Sequence, residues 1–208
     1  MDIKCNNIYH IYNRGNNRET IFYQRRNYYF FLNKMRRNLL PNCQVLAYCL
    51  MPNHFHFLIY ATEVSIQEKR TGPIVMNKFS DGIKNLLAGY AKAINKQQGR
   101  TGSLFTKNTR ANLVRDVDRE IDYATTCFHY IHQNPLKTMN PLASKLDDWP
   151  FSSFHEYTGE YKKGLCDIPL AKKLISVSWD KFYEISHQNL SQEAIQKINS
   201  DREILDSD

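Results

Sequence analysis

Side chains alternate along residues 54–61. His54, His56, Leu58 and Tyr60 fall on one face of an extended strand, and Phe55, Phe57 and Ile59 on the other. The Phe-Phe-Ile face is wholly apolar and belongs against a core. A second apolar run, residues 44–50, lies just before it across a very short turn, so the two are expected to pair as an antiparallel hairpin. Residues 8–13 read as an earlier strand, followed by a glycine-containing loop at 14–18. Helical spacing appears at 23–40, where Tyr28, Phe31, Leu32, Met35 and Leu39 share one side. It returns at 76–98 with Phe79, Ile83, Leu86, Leu87, Tyr90 and Ile94, and residues 99–101 end that helix. A polar segment, 62–73, separates it from the hairpin. A strand near 103–105 leads to a second extended stretch at 112–115. A third helix is expected over 118–134, with Ile121, Ala124, Thr125, Phe128 and Ile131 as its buried stripe. This order of strands and helices fits the α+β class, a ferredoxin-like antiparallel sheet with helices packed on it.

Length adds a division of the chain. Of 208 residues, 1–160 carry these elements and form one compact domain, and 161–208 read as a helical C-terminal extension. The aromatic stretch 149–157 is expected to pack back on the core, with helices at 169–175, 179–187 and 192–205. No apolar run reaches the roughly 18–20 residues needed to span a membrane, and the first residues show no signal-peptide pattern, so a cytoplasmic location is expected. The five cysteines are odd in number and never spaced as C-x-x-C; they read as reduced thiols.

Charge narrows the partner. The net charge is +7 with a pI of about 9.1, and the acidic residues of 192–208 leave a surplus of ten positive charges on the remainder. Such a body attracts phosphate backbones. Some of the thirteen tyrosines and eleven phenylalanines could offer stacking surfaces for unpaired bases, though most belong in the core.

Two short motifs carry the chemistry. Met51-Pro52-Asn53-His54-Phe55-His56 puts two imidazoles side by side on one strand face, with Cα atoms about 6–7 Å apart, close enough to share one cation. A chance pair of histidines is the plain alternative, although two imidazoles in so apolar a strand would be costly to bury without partners. Tyr130-Ile131-His132-Gln133-Asn134-Pro135 reads as a helix end. At about 100° per residue Tyr130 lies opposite Ile121, on the outward side, with Asn134 one turn further along it. His132 falls on the apolar stripe and reads as a packing histidine. Pro135 is expected to end the helix at Asn134, where an asparagine is also a common structural device.

These motifs stand in a series: Tyr9-His10-Ile11-Tyr12-Asn13-Arg14-Gly15-Asn16-Asn17-Arg18, the Met51–His56 run, Gly102-Ser103-Leu104-Phe105, the Tyr130–Pro135 run, and Trp149-Pro150-Phe151-Ser152-Ser153. In this order they resemble the single-tyrosine HUH transposases, and within them the REP-associated tyrosine transposase branch, over residues 5–160. The resemblance implies an HUH endonuclease fold in which His54 and His56 bind one divalent cation, magnesium or manganese, with Asn134 as third ligand. It implies Tyr130 as the nucleophile that cleaves and rejoins single-stranded, hairpin-containing DNA through a 5′-phosphotyrosine intermediate. No nucleotide cofactor is implied, and no glycine-rich phosphate loop is present. Arg14, Asn16, Arg18, Lys107 and Arg110 are the candidate DNA contacts, with solvated surface charge as their plain alternative. The branch points to a monomer, an exchange of tyrosine helices between two chains being the other arrangement. Residues 107–112 lack the usual Gln-x-Arg-Phe-Lys spelling, and 62–73 is an insertion. Two other readings are a non-catalytic hairpin-binding or regulatory protein on the same fold, and a hydrolytic nuclease whose histidines activate water.

Overall fold

The computed structural model describes residues 1–116, 121–159 and 164–199. Its chain order is β1 (Ile8–Arg14), α1 (Arg25–Asn38), β2 (Gln44–Met51), β3 (His54–Tyr60), α2 (Glu63–Ile66), β4 (Glu68–Thr71), β5 (Ile74–Asn77) and α3 (Lys78–Gln98). There follow β6 (Arg110–Asp116), β7 (Ile121–Asp122), α4 (Ala124–Gln133), α5 (Phe154–Tyr157), α6 (Ile168–Leu174), α7 (Phe182–Ser186) and α8 (Gln192–Asn199). The main sheet runs β2-β3-β1-β6-β7, every pair antiparallel. The strands β1, β2, β3 and β6, with α1 and α3 in the two crossovers, make the expected ferredoxin-like α+β arrangement.

The period-2 pattern of the strands divides the interior into two cores. Tyr9, Ile11, Val45, Leu50, Phe55, Phe57 and Ile59 face one way, against Phe31, Met35 and Leu39 of α1 and Phe79, Ile83, Leu86, Tyr90 and Ile94 of α3. Each such side chain, fully buried, contributes about 1.5–3 kcal/mol, so this layer fixes the sheet. On the other face Ile8, Cys49, Met51 and Leu58 meet Cys127, Phe128 and Ile131 of α4, which is covered in turn by Ile175, just past α6, and by Phe182 of α7 and Ile198 of α8. The histidines of β3 belong to this second face.

Several elements differ from the sequence expectation. Segment 62–73 is not simply a polar connector: it holds α2 and β4, and β4 pairs with β5 in a separate two-stranded sheet. Residues 103–105 form no strand; Phe105 makes a single bridge to Gly15. The helix of Tyr130 begins at Ala124, and Ile121 lies in β7; its expected start, residue 118, lies outside the described residues. Helix α4 ends at Gln133 with Asn134 as its C-cap, as the proline predicts, but Pro135 does not expel Asn134 from helical geometry. Asn134 keeps φ −49 and ψ −43, and a 3-10 turn, Asn134–Leu136, continues with Pro135 in its first turn, where a missing N–H costs nothing. The last helix is described to Asn199; the acidic positions from 201 onward, and the 160/161 boundary, fall outside the described residues. The five cysteines are free thiols. Among the described residues no helix is long and apolar enough to cross a membrane.

Candidate active site

The register of β3 on β1 builds the site. Arg14 pairs with His54 and Tyr12 with His56, and directly paired residues share a sheet face. His10, two positions before Tyr12, shares that face too. The rings of His54 and His56 lie 5.0 Å apart. Two hydrogen bonds orient them: His54 Nδ1 meets Asn53 Oδ1 at 2.6 Å, and His56 Nδ1 meets His10 Nε2 at 2.9 Å. An amide oxygen only accepts, so the proton of neutral His54 sits on Nδ1 and its lone pair on Nε2. The His10–His56 contact carries one proton; placed on His56 Nδ1, it leaves the second imidazole with its lone pair on Nε2 as well. Two imidazoles so oriented by second partners are a donor set that suits a divalent transition metal.

Helix α4 brings Tyr130 to the same place. Its ring stands edge-on to His56 at 5.7 Å and to His10 at 6.0 Å. Tyr130 is only 9% exposed, so it faces inward, across the sheet, and not outward as its angle from Ile121 implied. The reason is that α4 is covered on both sides. His132 Nε2 bonds Ser153 Oγ at 2.8 Å, His129 Nδ1 meets Ser186 Oγ at 3.2 Å, and Gln133 Nε2 donates to the carbonyls of Ser186 and Gln188. Burial pushes His129 down to about 4, and burial with the neighbouring His129 and His155 holds His132 well below the ordinary range. Both are neutral packing groups that fix the helix. Asn134 is buried one turn beyond Tyr130, and its Nδ2 donates to the Tyr130 carbonyl at 2.9 Å.

A cavity of about 310 Å³ opens beside the imidazoles, with Arg14, Arg18 and Arg110 on its wall together with His54 and His56. Tyr130 reaches the histidines from the α4 layer, outside that wall. Asn16, Lys107 and Asn134 do not line the cavity: Asn16 is exposed, its N–H donating to the Leu104 carbonyl, and Lys107 lines a neighbouring trough. The loop carrying Arg18 folds tightly because Gly15 lets the chain close on itself; a Cβ there would collide with the Glu19 carbonyl. Gly15 N–H also donates to Asn53 O at 2.7 Å, which locks this loop to the histidine hairpin. The sequence assigned no role to His10, Tyr12, Asn53, Thr106 or Asn108. For His10 and Tyr12 the signal was present, since they alternate with Arg14 along one strand; the other three depend on which loops meet.

Among solved structures the chain is similar to a REP-associated tyrosine transposase bound to a REP hairpin, with a TM-score of 0.55 at 14% identity, over 80% of this chain and 92% of that one. The likeness is one of fold. No protein-family model matches the chain, and no curated protein does.

Proposed function

We propose that this protein cleaves and rejoins single-stranded DNA bearing a hairpin, through Tyr130, with a divalent cation, magnesium or manganese, held by Nε2 of His54 and His56 and by the amide oxygen of Asn134. One observation carries the reading: the Tyr130 ring stands 5.7 Å from His56, with His54 another 5.0 Å along the strand. The cation, when bound, polarises the scissile phosphate and stabilises charge developing on its oxygens.

The chain's own groups do the rest. Asn53 and His10 hold the imidazoles in the ligating tautomer. Arg14, Arg18 and Arg110 hold the sugar–phosphate backbone in the cavity, where their charge offsets that of the phosphates. Tyr130 Oη attacks phosphorus, the bond from phosphorus to the 3′ oxygen breaks, and the phenolic proton is balanced by one taken up on the departing 3′ oxygen. The 5′ phosphate is then joined to Tyr130 and the other fragment ends in a 3′ hydroxyl. Attack by a 3′ hydroxyl on that phosphotyrosine reverses the step and rejoins strands without ATP. Hairpin preference is carried over from the structurally similar transposase, which was bound to a REP hairpin. Because Tyr130 meets histidines of its own chain, the site needs no second copy, which supports a monomer over a helix-exchanged pair.

A second reading, a hairpin-binding protein without catalysis, is favoured by Asn134, whose amide turns back on its own helix and which is not on the cavity wall. An end-labelled hairpin-containing strand incubated with manganese separates the readings. The wild type is expected to cut and to leave an adduct that survives denaturation, and Tyr130→Phe to lose both by at least about 10³-fold. Cutting that persists in Tyr130→Phe would mark a hydrolase. Tight binding with no cutting by the wild type would mark the binder.

A further inference from the structure

The catalytic cavity is not closed. Asn13, Thr106, Asn108 and Arg110 line it and also line a larger trough of about 920 Å³. That trough lies between the α3 surface at Leu87, Ala88 and Ala91 and the loop 102–109 leading into β6. Its floor is aliphatic, and Lys84, Lys107 and Arg110 supply positive charge against the single carboxylate of Asp2 among the described lining residues. Asp81, on the same helix as Lys84, is engaged by Lys69 at 2.6 Å and stands 3.9 Å from Lys84. The seam between the two spaces is fixed: Asn13 Nδ2 donates to Thr109 Oγ1 at 2.9 Å and to the Thr106 carbonyl at 3.2 Å, and its Oδ1 accepts from Thr106 Oγ1 at 2.6 Å.

We propose that the trough is a track for unpaired nucleotides next to the cleavage point. A single strand with its scissile phosphate at His54 and His56 crosses the Asn13 seam and continues along α3. Cations spaced along an apolar floor suit a bare strand, whose base faces can lie on aliphatic side chains while its phosphates follow the charges. A duplex offers only base edges to such a floor. The inference rests on the strand-cleaving reading of the catalytic cavity and adds to it where the flanking nucleotides go.

The test uses one labelled hairpin substrate, unextended or lengthened by two, four or six nucleotides on either side of the cleavage point, with binding read by fluorescence anisotropy without metal and cleavage read with manganese. For the wild type, extension on one side is expected to tighten binding by about 10-fold and then plateau. Ala88→Trp, which fills the trough from an exposed helix position, and Lys84→Glu should each cut that gain to within about 2-fold, while binding and cleavage of the unextended substrate stay as in the wild type. A wild type that gains nothing from extension, or variants that keep the full gain, would overturn the track. Failure of the wild type to cleave any substrate would overturn the catalytic reading alone, because the gain is read from binding.

Discussion

Two hydrogen bonds decide what the imidazoles can do. Asn53 Oδ1 fixes the proton of His54 on Nδ1, and His10 Nε2 does the equivalent for His56 when the proton they share sits on His56 Nδ1. Removing such an outer partner typically costs 10–100-fold in metal affinity. Asn53→Ala is therefore expected to weaken manganese binding by that factor in a titration followed by electron paramagnetic resonance, and His10→Ala likewise, while His10→Gln, which keeps an acceptor, should hold affinity closer to wild type. Unchanged affinity in both alanine variants would remove the tautomer argument. The histidine pair itself was legible, because alternation along one strand puts residues 54 and 56 on a common face whatever the rest of the chain does. Its partners were not. His10 meets His56 only through the register of β1 on β3, which pairs Tyr12 with His56, and a register is a tertiary fact.

The same contrast holds for whole elements. The sheet strands were legible because continuous apolar runs bounded by turns mark them, and α3 because it buries one side only, which its periodicity identifies. Helix α4 has no solvent side to mark its orientation: residues 127–133 are all buried, between the sheet and α7 and α8. Segment 62–73 failed for the opposite reason. Ile74 and Val75 of the β4–β5 hairpin are 51% and 46% exposed, so no buried face imposes an alternation. The burial of α4 has a consequence for stability. His129 titrates near 4 in the folded chain and near 6.5 unfolded. Above pH 6.5 both states are neutral at this ring and nothing is lost. As pH falls, the unfolded state takes up the proton first, so stability declines from about pH 6.5 until the folded ring also protonates near 4. His132, held low by burial, adds in the same direction. Urea midpoints should fall between pH 7 and 4.5, and less steeply in His129→Gln. A midpoint equally steep in that variant would put the loss elsewhere.

Taken whole, the molecule carries a net charge of +7 and gathers Arg14, Arg18 and Arg110 at one cavity, with Lys107 in the adjoining trough. If these four meet single-strand phosphates, the logarithm of the binding constant should fall against that of salt concentration with a slope of about −3. Replacing Arg14 and Arg18 together by alanine should flatten it by about 1.4, whereas a slope unchanged by that substitution would place the DNA on another surface. Most direct of all is the site of covalent attachment. After reaction with a hairpin-bearing strand and manganese, the protein is digested with trypsin and the fragment spanning residues 120–137 is sequenced by mass spectrometry. Nucleotide mass on Tyr130, and not on Tyr123 of the same fragment, is the expected result. An adduct on any other residue, or cleaved DNA with no adduct at all, would contradict the assignment of Tyr130 as nucleophile.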